Sequence, residues 1–301
     1  MQLAQPAPTW RARDAVLQST LVRRVAAILL LAVAYYGAAK LAQSLRYTAS
    51  VSAVWPPAGL GIAALYLWGL RLWPGIFIAE LAINVELVMG DHALPFWSVV
   101  GQQAGNMLEI IVGAILLRRL IGPNAALDRA DQIIGMLVAL VTATAISAVC
   151  GTVSMLAGGV IDWSEAVTFC RTWWLGDTAG GLIALPLILT WARDPSASLR
   201  RMATWEGGLL ILTVVTLSVL SISANEPVTY LVFPALIWAA LRFGPPGATL
   251  SVALAAAAVS SAIASRERAT GPLGSTPSFW RSRSAVRVWR TVEKSACETE
   301  S

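Results

Sequence analysis

Residues 102–120 read QQAGNMLEIIVGAILLRRL, an apolar run whose first half carries two glutamines, an asparagine and a glutamate. Gln102, Asn106, Glu109 and Gly113 recur at helical spacing, so they line one narrow polar stripe on a surface otherwise made of Met, Leu, Ile and Val. A carboxylate at the centre of a membrane span costs about 2.5 to 3.5 kcal/mol on insertion scales, which turns it toward a bundle interior and toward partners. Other segments offer such partners. Glu80 and Asn84 stand four apart in IAELAIN, and Asp177 follows Trp173 by four and precedes Gly181 by four in RTWWLGDTAGGLIALP. Arg171, near the mouth of that segment, presents a guanidinium able to pair with an acid or receive an anion. Acids, amides and one arginine converging in this way, rimmed by aromatic residues such as Trp55 and Trp174, would form an intramembrane ligand-binding or signalling pocket. The competing reading takes the amides as hydrogen-bonding glue between helices. Glu80 and Glu86 also stand near enough to the ends of their segment to reach the membrane surface.

Other chemistry is poorly represented. The single histidine, His92 in GDHALP, has no companions at ligand spacing, so no metal and no cofactor is expected. Three cysteines make no disulfide framework. The breaks between apolar runs are too short to hold a catalytic fold, and the chain reads as a non-enzyme.

The elements that must position the polar residues follow from composition. With 56% hydrophobic residues, 13% charged and a mean hydropathy of +0.66, the chain lies outside the soluble globular range. Apolar runs near the membrane-spanning length of about 20 residues recur from residue 25 onward, and spanning backbone in lipid must satisfy itself as helix. The expected fold is all-α, a polytopic transmembrane helical bundle of eight to nine spans, near 25–45, 54–70, 73–90, 96–118, 133–158, 170–191, 207–224, 228–241 and 247–264. The joints at Arg71 and at RFGPPG (242–247) are so tight that each predicts a helical hairpin or a broken helix. Trp55-Pro56-Pro57 suits a span that starts abruptly, with glycines behind it that admit a neighbouring backbone.

Charge sets the orientation. With the N-terminus in the cytoplasm, twelve of the Lys and Arg residues before residue 266 fall on the inner side, and only Lys40, Arg46 and Arg171 on the outer. The net charge of +5 is therefore a topology signal, and no nucleic-acid partner is expected. Residues 1–24 read as a cytoplasmic tail and 25–265 as the transmembrane domain. Residues 266–301 read as a basic, disordered tail whose Ser/Arg-rich composition resembles out-of-frame translation.

Five short motifs appear in order: WPPAGLGIAAL (55–65), LWPGIFIAELAIN (72–84), GNMLEIIVGAILLRRL (105–120), WWLGDTAGGLIALPLIL (173–189) and YLVFPALIWAALRFGPPGA (230–248). Together they resemble the type-one membrane-associated sensor domain, the MASE family, an integral-membrane input module of bacterial signalling proteins. The resemblance implies an inner-membrane location and a small ligand or membrane partner besides the bilayer. It also implies an output domain, which does not follow here, whether through a genuine end or through truncation or frameshift, so that a separate output protein would have to serve. Carried over by position, the motif residues are Trp55, Pro56, Pro57, Asn84, Asn106, Glu109, Trp174, Gly176 and Asp177; Glu80 falls where a small residue is expected. The alternative expectation is a transporter or permease that uses the buried acids as coupling groups.

Overall fold

Proline and glycine mark the joints of the chain. The computed structural model describes residues 9–44, 54–89, 94–123, 126–223 and 229–270. Arg46, His92 and the tail beyond residue 270 lie outside the described residues. Helix α1 covers Thr9–Ser44, starting well ahead of the expected boundary at residue 25, since no proline or glycine interrupts Thr9 to Arg24. Helix α2, Pro56–Trp68, begins on two prolines, whose missing N–H groups cost nothing in a first turn, and stops at Gly69. A 3₁₀ turn, Leu70–Leu72, leads into α3, Trp73–Met89. Helix α4, Phe96–Ile121, runs from Pro95 to Gly122, and α5 covers Ala130–Ala157. Helix α6, Trp163–Arg193, opens on a capping box in which Asp162 and Glu165 satisfy each other's backbone N–H groups. The short α7, Pro195–Met202, meets α8, Trp205–Ser223, at 81°. Helix α9 covers Val232–Thr270. No strand occurs among the described residues.

Named contacts give the helix directions. Tyr35 meets Glu80 and Lys40 meets Glu86, so α1 and α3 run parallel. Gly61 packs on Ile110, Ile62 on Gly113 and Tyr66 on Gly122, so α2 and α4 are parallel too. Gly101 against Ser154 and Gly135 against Ile121 make α4 and α5 antiparallel, and Gly151 against Trp173 with Thr144 against Thr178 does the same for α5 and α6. At the joint of α2 with α3, Arg118 donates from Nε and Nη2 to the Tyr66 carbonyl at 3.2 and 2.7 Å, tying the ends of α2 and α4 together.

Helix α9 folds back on itself. Gly244 has φ 67° and ψ −157°, outside any helix and readily adopted only by glycine, and two prolines follow it. A Cβ on Gly247 would lie 3.0 Å from the carbonyl oxygen of Ala239, eight residues earlier, which a straight helix cannot bring so close. Glu206 pairs with Arg242 on the first arm, while Trp191 donates to the Pro246 carbonyl and Thr190 meets Thr249 on the second.

The expectation of a helical membrane bundle holds, but the count of eight to nine spans is not confirmed. Among the described residues, four helical segments are long and apolar enough to cross a bilayer, within α1, α5, α6 and α9, or five if the bent pair α7 and α8 forms one span. Helix α2 has only 13 residues and α3 has 17, and α4 carries Glu109, Arg118 and Arg119 among its polar residues. The two runs at 228–241 and 247–264 correspond to the two arms of α9, which meet at Gly244.

Two interior clusters form. Tyr35, Ile62, Leu65, Ile110, Leu117, Leu140 and Leu185 belong to one, and Met202, Leu210, Val214, Ala235, Ala239 and Phe243 to the other. Leu30, Val33, Val153 and Val167 stay exposed on outer faces, as lipid-facing residues do. Lipid is as apolar as leucine, so close packing of small residues and interhelical hydrogen bonds hold such a bundle together.

Candidate functional site

Three carboxyl groups sit at the midpoints of their helices. Glu80 is the eighth of 17 residues in α3, Glu109 the fourteenth of 26 in α4, and Asp177 the fifteenth of 31 in α6. Their relative exposures are 3%, 2% and 5%, so none reaches the surface of the bundle. The helix directions described above bring these midpoints to one level.

Glu80 is served on both oxygens. The Tyr35 hydroxyl of α1 donates to Oε1 at 2.7 Å, and Gln103 Nε2 of α4 donates to Oε2 at 3.0 Å. Asn84, one turn on from Glu80, donates from Nδ2 to Gln103 Oε1 at 2.7 Å, which fixes the orientation of that amide. The Asn106 side chain also lies within hydrogen-bonding reach of Glu80. Asn106 Oδ1 in turn accepts from the Ser147 hydroxyl of α5 at 2.8 Å.

Glu109 and Asp177 form a second centre. Their side chains are within hydrogen-bonding reach of each other, and Ser147 reaches both. The Trp173 side chain reaches Asp177 from one turn earlier on α6. Even so, Glu109 Oε1 and Asp177 Oδ2 are buried with no hydrogen-bond partner. Buried polar atoms are almost always satisfied, so two orphaned carboxyl oxygens in one network are unusual and call for a bound species or a functional cost. Ser147 and Asn106 connect this centre to Glu80, so one polar network joins α1, α3, α4, α5 and α6.

The residues singled out in the sequence are distributed unevenly over this network. Asn84, Asn106, Glu109 and Asp177 belong to it. Trp55 is tied in through its backbone: its N–H donates to the Gly176 carbonyl at 3.0 Å, joining the entry of α2 to the helix that carries Asp177. Trp174 donates from Nε1 to the Val141 carbonyl at 3.1 Å, clamping α6 to α5, and the indole facing Asp177 is that of Trp173. Arg171 is exposed and does not join. Six residues separate it from Asp177 on α6, and that spacing turns it to another helix face. The acids therefore have no arginine partner: the three ion pairs among the described residues are Lys40–Glu86, Arg129–Asp131 and Arg242–Glu206.

Tyr35, Gln103, Ser147 and Glu80 complete the site. Glu80 is a buried member of the network, while Glu86 is exposed and pairs with Lys40 at 2.8 Å and with the Tyr36 hydroxyl. The polar stripe on α4 also divides. Gln102 turns toward Met155, with Nε2 3.8 Å from its sulfur, and its neighbour Gln103 enters the network. Among the described residues no group of three His, Cys, Asp or Glu side chains is placed to hold a metal ion.

No curated protein and no solved structure matches the chain. A family model does, over residues 25–275, a stretch that contains every residue of the network and all five sequence motifs. The chain belongs to the MASE1 family, the membrane-associated sensor domains that provide sensory input to signalling proteins.

Proposed function

We propose that the chain is the sensory input module of a bacterial inner-membrane signalling system, non-catalytic itself, with its N-terminus in the cytoplasm and its signal passed to a signalling output domain or protein. The observation that carries the reading is the network of Glu80, Glu109 and Asp177, buried at the midpoints of three helices and left partly unsatisfied. Such an arrangement is poorly suited to stability alone, because two orphaned carboxyl oxygens cost free energy that an apolar core would avoid. Intramembrane acids of this kind mark functional sites.

Signalling in such a bundle is a shift between two helix arrangements, biased by whatever binds one of them better. The network touches five helices, so a change at Glu109 or Asp177 alters the packing of α5 against both α4 and α6. Trp55 and Trp174 fix the position of α6, and Asn84 and Asn106 hold α3 and α5 to α4. The bias of basic residues toward one end of the bundle supports the cytoplasmic N-terminus. The test is a fusion of the chain to a working cyclase or kinase output domain. Glu109→Gln and Asp177→Asn are expected to insert normally and to fix output at one level across changes of carbon source, pH and osmolarity. Wild-type responses from both variants would remove the pocket from the mechanism.

A further inference from the structure

We infer that Glu109 and Asp177 hold one dissociable proton between them, and that occupancy of this proton site is the quantity the bundle reads. The second half of this inference rests on the sensory function proposed above; the first half rests on the burial of the two carboxyl groups and on their unserved oxygens.

An ionised carboxylate has acceptors only, so two carboxyl groups in hydrogen-bonding contact need a proton on one of them. Glu109 and Asp177 are in such contact, and each keeps a buried oxygen that nothing else serves. Glu80 differs: both of its oxygens already accept from Tyr35 and Gln103, so its environment has donors enough for an anion. The titratable groups around the pair come from each packed helix. Tyr35 of α1 and Glu80 of α3 stand one step away through Asn106 and Ser147. Cys150 of α5 packs on Gly105, one turn along α4. Tyr66 of α2 and Arg118 of α4 meet at the far end of those helices, and Arg171 of α6 is exposed.

Space favours the smallest occupant. The Trp173 ring closes on Gly151 so tightly that a Cβ there would lie 2.8 Å from it, and no metal-binding group of side chains is present among the described residues. Release of the proton to water at a mouth of the bundle turns one negative charge into two. The two carboxylates then repel each other in a medium of low dielectric constant, and α4 and α6 are pushed apart.

The test uses the full chain in proteoliposomes, with infrared spectra recorded across pH in H₂O and D₂O. In a cysteine-free background, spin labels at the lipid-facing positions L108C and L175C report the separation of α4 and α6. A carbonyl band of a protonated carboxyl, shifted by D₂O and lost on raising the pH, is expected. Glu109→Gln and Asp177→Asn are each expected to shift or remove it, Glu80→Gln to leave it in place, and the label distance to grow as the band is lost. A band unchanged in both pair variants, or altered by Glu80→Gln alone, would overturn the shared proton. A band that titrates with no change in label distance would overturn proton occupancy as the signal and leave the sensory function standing.

Discussion

Tyr35 shows what one hydroxyl contributes to this bundle. It supplies one of the two donors that hold the buried carboxyl of Glu80, and its ring is itself 1% exposed. Tyr35→Phe keeps the ring and removes the donor, leaving Glu80 Oε1 unserved, so a loss of about 1 to 3 kcal/mol is expected. Thermal unfolding in detergent measures it, and an unchanged midpoint would mean that Glu80 finds another donor. The sequence made Glu109 and Asp177 legible because an acid amid apolar residues has few bland explanations. Tyr35 was not legible, since a tyrosine in a membrane helix is equally at home at the lipid surface. Gln103 fell outside the predicted stripe for a different reason. The stripe through Gln102, Asn106 and Glu109 assumes that one face meets one neighbour, whereas α4 packs between α3 and α5 and divides its amides between them.

At the level of helices, the joints decide how the site is held. A Cβ on Gly180 would fall 2.1 Å from the Trp55 carbonyl carbon, and backbone on both sides leaves little room to yield. Gly180→Ala is therefore expected to cost about 1 to 3 kcal/mol by overpacking. Gly208→Ala, with nothing within 4 Å, serves as the neutral control in the same unfolding measurement. The short α7 depends on charge. Asp194 accepts from the Ala197 N–H at 2.8 Å and from the Ser196 hydroxyl at 3.0 Å, which holds its carboxyl below the ordinary value of 3.8. A lowered folded-state value means the cap is fully present above about pH 4 and is lost as the pH falls through the folded value. Limited proteolysis of the segment between α6 and α8 should accelerate below about pH 4 in the wild type, and at every pH in Asp194→Ala. The break at RFGPPG was legible from its glycines and prolines. That its two arms fold back on each other was not decided by composition, because a kink and a hairpin use the same residues.

Across the whole molecule, hydropathy identified a helical membrane bundle, but apolar runs alone do not fix the number of spans. Helix α2 is apolar throughout yet has 13 residues, about 20 Å of helix against a hydrocarbon core of about 30 Å. Arg171 was assigned to the pocket on proximity along the chain, and helical rotation carries it to an exposed face. The polar network, in contrast, emerges only when five helices are assembled, since Glu80, Glu109 and Asp177 are separated in sequence by 29 and then 68 residues. On the proposed function, these acids are kept for signalling. The direct measurement pairs Glu109→Met with Asp177→Leu in the output fusion, recording membrane insertion, unfolding midpoint and output together. Replacing orphaned buried acids by apolar groups of similar volume is often neutral or stabilising, so an inserted protein at least as stable as wild type is expected, with its output fixed. An output that still responds as wild type would contradict a signalling role for the buried acids.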